Sequence, residues 1–396
     1  MSELAVDFCI NGGGMVGASA ALGLADAGFD VALIEPNPPA LMTADQPFEL
    51  RVSALAPASI ELLTKLNVWD EIATERVCPY RRMRVFDQHT SGDVLFDAAD
   101  IGAPYLGYIV ENRRVQSALW QRICQHEQIQ ILKDTRPKAL SMDHAQAQIT
   151  LDDGRRCRAN WLLAGDGGES WVRRAAGIGE KSADYRVHAQ VLSVHTAYPQ
   201  QDITWQRFTS HGPEAFLPLA GQRGSIVWYD RPASVQRRAG LDHDALLAEL
   251  HETFPAELGE ITRIERSGSF PIRKMHAHTY HHQRVVLLGD AAHTIHPLAG
   301  QGANLGFADV TAWLDGIERV AHQKDGWKKA RLAGAYERAR RLDNQLIQSA
   351  MDVFDWGFMQ RNPLLRAARA AGMNLVARNR WLRGQLTDLA GGGRFV

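Results

Sequence analysis

Three glycines near the N-terminus have the spacing of a phosphate-binding turn. Gly12, Gly14 and Gly17 complete the pattern G-x-G-x-x-G between a predicted strand over residues 6–10 and a predicted helix over residues 15–27. The first glycine permits a tight turn, the second lets the backbone approach a pyrophosphate, and the third lets the helix pack closely on the strand. The helix N-terminus then offers unpaired N–H groups to the phosphate. The pattern predicts that the chain binds the ADP half of a dinucleotide.

An acid at the end of the next predicted strand fits the same ligand. Glu35 closes the segment DVALIE, 18 residues after Gly17, where a carboxylate can accept hydrogen bonds from ribose hydroxyls. Asn11 departs from the usual apolar strand end, and its side chain is expected either to bond to the loop backbone or to distort it mildly. Because FAD and NAD both carry an ADP half, this part of the sequence does not choose between them.

Two further acidic turns follow predicted strands farther along the chain. Asp166 and Gly167 lie in LLAGDGG, and Asp290 follows the apolar run 285–288, at the strand end where ligands bind in open α/β sheets. A loop containing glycine and proline covers residues 297–302, and the helix predicted after it directs a second N-terminus toward an electron-rich ligand. The alternative interpretations are that Asp290 caps a helix and that GDGG is ordinary turn chemistry.

The composition argues against several other kinds of protein. The formal net charge is −1, with acids and bases interspersed, which is not typical of a nucleic-acid-binding surface. The four cysteines have no paired spacing, and no Ser/His/Asp triad or acid pair stands out. The N-terminus lacks the pattern of a secretory signal, and no segment approaches the ~18 apolar residues of a membrane span. We therefore expect a cytoplasmic protein with no metal site and no nucleic-acid partner.

Taken together, the three motifs resemble those of a known enzyme family. Their order, G-x-G-x-x-G, D-G and G-D, is that of the single-component flavin aromatic hydroxylases, the 4-hydroxybenzoate hydroxylase-like monooxygenases, from residue 6 to about residue 310. The resemblance implies an α/β fold, in which a Rossmann-like FAD-binding domain adjoins a second antiparallel-sheet substrate domain and a helical C-terminus. It also implies FAD as cofactor, NAD(P)H as reductant and molecular oxygen as cosubstrate. In that family the reduced flavin captures oxygen as a C4a-hydroperoxide, which hydroxylates an electron-rich ring.

The resemblance also implies which residues border the FAD. In the family, the aspartate of the G-D motif bonds to the ribityl chain, which implies this role for Asp290, and the D-G motif lies near the flavin and has been linked to NADPH. The alternative interpretations are that Arg51 is an ordinary solvated arginine and that Gln116, judged without the family, is a residue on a helix face. The other implied cofactor positions are Arg51, Ser53, Gln116, Asp166, Gly167, Pro297, Gly300, Gln301 and Gly302.

No catalytic base is assigned from the sequence. His293 and His296 follow the G-D turn and Tyr229 lies in the aromatic middle region, but each is more often a packing or capping residue than a proton-transfer group. The chain has no second G-x-G-x-x-G, and therefore no separate nicotinamide domain is expected. Either the reductant binds transiently near the flavin or electrons arrive from a partner protein.

Further segments resemble the ubiquinone-biosynthesis branch of this family. CPYRRM, WQRFTSHGPEAFLPL and IVWYD carry the likeness, and QSAMDVFDWGF is most like the branch member that acts on demethoxyubiquinol. The resemblance implies a lipophilic aromatic substrate, a polyprenylated ubiquinone precursor, and most specifically 3-demethoxyubiquinol. Three alternatives stay open: another ring position, another apolar phenol, or a non-catalytic flavoprotein subunit of a biosynthetic complex.

Changes in periodicity suggest how the chain is divided. Residues 1–75, 100–184 and 280–345 are predicted to form the FAD-binding domain, residues 76–99 and 185–279 the substrate domain, and residues 346–396 a C-terminal helical segment. The tail has the pattern of amphipathic helices interrupted at Pro363. Their apolar faces are expected to pack on the chain's own domain, which is the commoner case, or to contact the inner face of the membrane or a partner in a ubiquinone-biosynthesis complex.

Overall fold

A computed structural model describes residues 3–43, 46–73, 76–254, 260–295, 302–323, 325–360 and 362–390 of the 396-residue chain. Short 3-10 helices occur at Ala98–Ile101, Gly289–Ala291 and Gly326–Lys328. The α-helices, numbered in chain order, are α1 (Met15–Asp26), α2 (Pro57–Lys65), α3 (Trp69–Ile72), α4 (Asn112–Ile123), α5 (Trp171–Ala175), α6 (Pro232–Ala239), α7 (His243–Thr253), α8 (Gly302–Val320), α9 (Arg331–Met359), α10 (Pro363–Arg378) and α11 (Arg380–Ala390).

The first sheet has parallel strands at its centre. Its members among the described residues are β1 (Glu3–Asn11), β2 (Val31–Glu35), β8 (Ile129–Lys133), β9 (Pro137–Met142), β10 (Ala147–Leu151), β11 (Arg156–Ala164), β17 (His281–His282) and β18 (Val285–Leu287). The order β18–β11–β1–β2–β8 is parallel throughout, with β10 and β17 pairing antiparallel to β11 and β18. The carboxyl ends of β1, β11 and β18, where the three motifs begin, therefore lie side by side.

Helix α1 forms where the sequence predicted it and packs in the core. Its alanine- and leucine-rich sequence favours helix, and the buried side includes Leu22 and Leu24. Gly28 follows the helix with φ +86°, the left-handed conformation that glycine adopts easily. Helix α8 lies against α1 so closely that a Cβ at Gly23 would be 2.4 Å from Cδ1 of Leu314. The predicted strand and helix are confirmed, with the helix ending at Asp26.

The second sheet is almost entirely antiparallel, and a third sheet is small. Their strands are β3 (Val52–Leu55), β4 (Cys78–Tyr80), β5 (Arg82–Asp87), β6 (Asp93–Asp97), β7 (Gly107–Glu111), β12 (Glu180–Thr196), β13 (Ile203–Phe208), β14 (Pro213–Leu219), β15 (Arg223–Asp230), β16 (Ile261–Ala277) and β19 (His293–Thr294). The second sheet has the order β19–β16–β12–β15–β14–β13–β5–β6 among the described residues, and only β13 and β5 pair in parallel. The third sheet has the order β3–β7–β4.

The two faces of the second sheet carry separate apolar clusters. One face packs under α7, where Leu250 and Phe254 join the aromatic side chains of Trp205, Phe216 and Trp228. These aromatic residues therefore fill the core, as expected for most aromatics in a sheet. The remaining face carries a second cluster, composed of Val187, Ala189, Tyr229 and Ile272, against which Tyr185, Val227 and Phe270 pack.

The α/β fold with a second, antiparallel sheet is confirmed; the domain boundaries stay a prediction, and two elements extend across them. Strand β12 begins at Glu180, inside the range 100–184 that was predicted for the first domain. Helix α9 runs continuously through the predicted boundary between residues 345 and 346. No glycine or proline lies near residue 345 to end the helix there.

The C-terminal helices fold back on the second sheet. Arg369 of α10 donates from Nε to Asp87 Oδ2 at 2.7 Å, and the ring of Phe358 stacks on that of Phe208 with centroids 3.8 Å apart. Helix α10 begins at Pro363, where the sequence predicted an interruption of the helices, with Asn362 Oδ1 accepting from Leu364 N at 2.9 Å. In the part of the chain that the structure describes, no helix is both long and apolar enough to span a bilayer.

Candidate functional site

The glycine turn between β1 and α1 is required by the fold at two of its three positions. Gly12 has φ +102°, and a Cβ there would lie 2.5 Å from the carbonyl oxygen of Gly165. A Cβ at Gly17 would lie 1.9 Å from the carbonyl oxygen of Gly12. At Gly14, by contrast, an added Cβ would meet nothing within 4 Å. The open space at this glycine lies directly before the N-terminus of α1 and fits a phosphate group.

Glu35 and Gln116 both hold the backbone of this turn. Glu35 Oε2 accepts from Gly13 N at 2.7 Å, while its Oε1 accepts from Asn37 N at 3.0 Å. The carbonyl oxygen of Gly13 accepts from Gln116 Nε2 at 3.2 Å and from Trp120 Nε1 at 2.7 Å. The sequence analysis did not single out Trp120. Its signal was the spacing of four residues from Gln116, which puts both side chains on the same face of α4.

Asn11 joins the first motif to the D-G motif. Its Nδ2 donates to Asp166 Oδ2 at 2.9 Å, and the same oxygen accepts from Val172 N at 3.1 Å. The other oxygen, Oδ1 of Asp166, is buried and has no hydrogen-bond partner in the described part of the chain. An unpaired buried acceptor is costly in a protein interior, and a donor on a bound ligand would satisfy it. Gly167 follows with φ +79°.

The Asp290 side chain of the G-D motif is exposed between two buried residues, Gly289 and Ala291. Asp290 lies in the 3-10 turn Gly289–Ala291 and α8 begins at Gly302, so Asp290 is not the helix cap considered above. Its side chain is open to solvent, yet the surrounding protein raises the pKa of its carboxyl, and the charges of His293 and Arg51 lower it in part. A group that is accessible and still surrounded by protein lines a concavity, which is the form that ligand sites take.

The three motifs meet at the start of α1. A Cβ at Gly289 would be 3.1 Å from Cγ2 of Val16, and a Cβ at Gly306 of α8 would be 2.5 Å from the same atom. Gly165, just before Asp166, is equally close to α1, because a Cβ there would lie 2.9 Å from the Cα of Gly17. The first turn of α1 is therefore packed between the D-G turn, the G-D turn and α8.

The remaining predicted positions differ in exposure and in their contacts. Arg51 is exposed, whereas Ser53 is buried and donates from Oγ to Asn112 Oδ1 at 2.7 Å, so its hydroxyl joins β3 to the start of α4. At Gly302, the first residue of α8, an added Cβ would meet nothing within 4 Å. The predicted positions His296, Pro297, Gly300 and Gln301 lie outside the described residues.

Two of the weak catalytic candidates are buried. His293 is 2% exposed, and its Nε2 is 2.6 Å from Asp309 Oδ2. Tyr229 is 3% exposed in the apolar cluster of the second sheet, and burial raises the pKa of its hydroxyl well above the usual value. Its phenol therefore stays protonated near neutral pH. Neither contact pattern gives these residues the accessible position that a base needs.

Comparisons with known proteins show the family to which the chain belongs. The family model described as FAD binding domain matches residues 5–350. The chain is 39% identical over 390 residues to the 3-demethoxyubiquinol 3-hydroxylase of Escherichia coli (strain K12), covering 98% of this chain and 99% of that protein. It is 33% identical to the ubiquinone hydroxylase UbiL of Rhodospirillum rubrum, covering 95% of this chain and 87% of that protein.

Solved structures share the fold at low sequence identity. The p-nitrophenol 4-monooxygenase PnpA from Pseudomonas putida DLL-E4 superposes with a TM-score of 0.80 at 18% identity, over 100% of both chains. PqsL from Pseudomonas aeruginosa, described as a probable FAD-dependent monooxygenase, gives a TM-score of 0.76 at 22% identity, over 93% of this chain and 99% of that one. These likenesses extend the same architecture over the whole length of the chain.

Proposed function

The chain belongs to the FAD-binding-domain family, and we propose that it is the FAD-dependent monooxygenase that hydroxylates the ring of 3-demethoxyubiquinol. The observation that carries the proposal is the match at 39% identity over almost the entire length of both proteins. An FAD-dependent aromatic hydroxylase uses molecular oxygen as cosubstrate and NAD(P)H as reductant, and both are therefore assigned to this chain. The relatives' names do not favour the non-catalytic flavoprotein considered at the outset.

The residues at the meeting point of the three motifs fit FAD. We propose that Gly14 and the N-terminus of α1 hold the pyrophosphate, because this is the open position in the turn. Glu35 accepts from the ribose of the adenosine, and Asp290 accepts from the ribityl chain. Asp166, with its unpaired Oδ1, receives a donor from the cofactor or the reductant. The remaining positions proposed to border the cofactor are Gly12, Gly17, Arg51, Ser53, Gln116, Gly167, Pro297, Gly300, Gln301 and Gly302.

In this reaction the protein has to hold the aromatic ring of the substrate and exclude water from the site where oxygen is transferred. Bound FAD supplies the activation of oxygen and the transfer of one oxygen atom to the ring. The apolar cluster that contains Val187, Ala189, Tyr229 and Ile272 lies on the face of the second sheet that α7 does not cover. We propose that this face borders the substrate ring, since an apolar wall keeps water from a reactive intermediate. No residue of the described chain is needed as a base in this scheme.

A strain without its own 3-demethoxyubiquinol 3-hydroxylase provides the direct test. Expression of this chain should restore ubiquinone and remove the accumulated demethoxyubiquinone, measured by mass spectrometry of extracted quinones. The control is Asp315→Asn, an exposed change on α8 outside the site, which should restore ubiquinone equally. If another ring-hydroxylation intermediate disappears instead, the chain acts at a different ring position; if the pool is unchanged although FAD-loaded protein is present, the proposal is wrong.

The C-terminal helices provide the proposed contact with the membrane. Leu342, Leu346 and Val353 of α9 are exposed at spacings of four and seven residues, so they lie on one helix face. Farther on, Leu364 is 80% exposed and Trp381 is 71% exposed. We propose that these side chains contact the inner face of the membrane, because a polyprenylated substrate resides in the bilayer and exposed arginines such as Arg378 favour anionic lipid.

Vesicle sedimentation tests this contact. The full chain should sediment with vesicles that contain anionic phospholipid, and the double change Leu364→Ser and Trp381→Ser should reduce the bound fraction several-fold, since each apolar side chain adds ~1.5–3 kcal/mol when buried. The control is Leu41→Ser, an exposed leucine far along the chain from the C-terminal helices. Equal sedimentation of all three proteins would assign the apolar face to a protein partner or to no partner at all.

A further inference from the structure

One buried carboxylate connects the G-D turn to the helices behind it. Asp309, in the middle of α8, is completely buried. Its Oδ2 accepts from Gly289 N at 3.0 Å and lies 2.6 Å from His293 Nε2, while its Oδ1 accepts from Arg340 Nε at 2.8 Å and from Asn344 Nδ2 at 3.3 Å. A carboxylate that is ionised can only accept, so the proton in the contact with His293 belongs to the histidine.

The electrostatics of this group keep the carboxylate ionised. Burial alone would raise the pKa of Asp309, but the charges and hydrogen bonds of His293 and Arg340 outweigh it and hold the pKa at about 2. A buried charge is tolerated only when it is paired and fully hydrogen-bonded, and here four donors on three separate elements meet that condition. Removal of any one of them would leave the carboxylate less well compensated.

The hydrogen bonds continue in a path that returns to the same turn. Asn344 Nδ2 also donates to Tyr280 OH at 3.3 Å, and Tyr280 OH is 3.2 Å from His276 Nε2. His276 Nδ1 is 3.1 Å from Gln348 Oε1, and Gln348 Nε2 donates to the carbonyl oxygen of Thr294 at 3.3 Å. The path starts at Gly289 and ends at Thr294, so it fixes both ends of the segment that contains Asp290.

We propose that Asp309, through His293 and Arg340, is a positioning residue for the FAD site. Asp309 belongs to α8, whose first residue is Gly302. Its carboxylate also accepts a hydrogen bond from the backbone of Gly289, the residue before Asp290. It therefore sets the position of Asp290 relative to the start of α8, the two features that are proposed to face the cofactor. The inference rests on the proposed FAD site and adds a residue that touches neither cofactor nor substrate.

This role also accounts for His293, which the sequence offered as a possible base. Its Nε2 is committed to Asp309, and only 2% of the residue is exposed. A histidine in this position can maintain the geometry of the turn, but it cannot exchange protons with a substrate without breaking the contact. The structure thus assigns His293 to the support of the site.

Two substitutions at His293 distinguish a role of its hydrogen bond to Asp309 from a role of its size alone. In His293→Gln, the Nε2 of glutamine can still donate to Asp309, whereas in His293→Leu the donor is lost at similar size. Loss of a hydrogen bond to a charged group should raise the Kd for FAD about tenfold or more in the leucine variant. The glutamine variant should stay within about threefold of the unchanged protein. Kd is measured by titrating FAD into the full-length apoprotein and following the quenching of flavin fluorescence.

Three outcomes decide the matter. If the unchanged protein takes up no FAD, the proposed function fails; if it binds FAD and the leucine and glutamine variants bind equally tightly, only the positioning role fails. Thermal unfolding of each apoprotein shows whether a variant has folded. If His293→Leu does not fold, Asp309→Asn is compared with Asp315→Asn on the same helix, and equal FAD affinities in that pair overturn the inference.

Discussion

At the level of single residues, Asp290 and Glu35 differ in how the protein treats their carboxylates. Glu35 is already engaged by two backbone N–H groups, from Gly13 and Asn37. Asp290 is exposed and has a raised pKa, so it gains more from a ligand that donates a hydrogen bond. The proposed ribityl contact therefore makes Asp290 the side chain on which FAD affinity depends most directly.

The first prediction concerns Asp290→Ala. Loss of a hydrogen bond to a carboxylate, worth ~1.5–3 kcal/mol, should raise the Kd for FAD about 10- to 100-fold. Because this side chain is exposed and the fold does not rely on it, the apoprotein should melt close to the temperature of the unchanged protein. Equilibrium dialysis followed by absorbance at the flavin band measures the loss. A variant that remains as yellow as the parent after extensive dialysis contradicts the assignment.

Asn11 shows how one polar side chain can settle a question that the motif leaves open. The sequence allowed either a bond to the loop backbone or a mild distortion at this position. In the structure, Nδ2 of Asn11 donates instead to Asp166, which follows the neighbouring strand β11. The bond links the carboxyl ends of β1 and β11, so the polar residue at an otherwise apolar strand end aligns two motifs that are 155 residues apart.

At the level of elements, the turn before α1 contains one glycine that the fold requires and another that is proposed to leave room for the cofactor. Gly17 is required for the helix to approach the turn, whereas the space beside Gly14 is open. The backbone at Gly14 has φ −64° and ψ 178°, a conformation that any residue adopts. Alanine at this position should therefore fold normally and obstruct only the ligand.

The second prediction compares Gly14→Ala with Gly17→Ala. The first variant should keep the melting temperature of the apoprotein and lose FAD affinity by about tenfold or more, because its methyl group occupies the approach of the pyrophosphate. The second should lower the melting temperature, since its Cβ would lie 1.9 Å from the carbonyl oxygen of Gly12. Calorimetry and FAD titration on the same samples test both statements. Normal FAD affinity in Gly14→Ala would place the phosphate elsewhere.

The third prediction concerns His276, which connects β16 to α9. Burial lowers the pKa of this histidine to about 4, and the charge of His293 lowers it as well. In the unfolded chain the pKa is about 6.5, so between these values the unfolded state binds more protons and stability rises with pH. The free energy of unfolding should therefore fall as the pH is lowered from 7 to 5, and His276→Gln should flatten this decrease.

Urea denaturation at pH 7, 6 and 5 measures this slope. The control His322→Gln, an exposed histidine in the turn that follows the C-terminal end of α8, should keep the pH dependence of the unchanged protein. If His276→Gln loses stability with falling pH as steeply as the control, another group carries the pH dependence. The neutral form is consistent with the contacts, in which Nδ1 donates to Gln348 and Nε2 accepts from Tyr280.

At the level of the whole molecule, α9 joins the proposed FAD site to the C-terminal surface. One side of the helix supplies Arg340 and Asn344 to the buried carboxylate of α8. Another side presents Leu342 and Leu346 to solvent. The helix is continuous between these features, so the proposed membrane surface and the FAD site share one rigid element.

The fourth prediction concerns the ion pair that holds α10 on the second sheet. Asp87→Ala leaves Arg369 with an uncompensated buried charge, which costs about 3–5 kcal/mol. The C-terminal helices should then open more often, and chymotrypsin should cleave among residues 354–381 much faster, while FAD stays bound. Mass spectrometry of early cleavage products gives the rate. Arg378→Ala, an exposed arginine on the same helix, should cleave at the original rate, and equal rates for both variants would contradict the role of the pair.

The sequence by itself determined the features that depend on local order along the chain. The glycine turn, the helix after it and the interruption of the C-terminal helices at Pro363 were predictable, because backbone conformation at such positions depends on neighbouring residues. The family, the cofactor and the enzyme class were also predictable, because all three motifs occur in the sequence in the order that is typical of the family. Gln116 and Glu35 were predicted to contact the cofactor, which stays a prediction; their bonds to Gly13 were not foreseen.

Only the tertiary structure decided which side chains support the site from a distance. Asp309 has no motif around it that marks it as the acceptor of four hydrogen bonds, because its donors come from the G-D turn, β19 and a helix more than 30 residues later. The burial of His293 and Tyr229, like the passage of α9 through residue 345, follows from which surfaces meet in space. Periodicity reports which face of an element is apolar, whereas the partner of that face is fixed only when the elements pack.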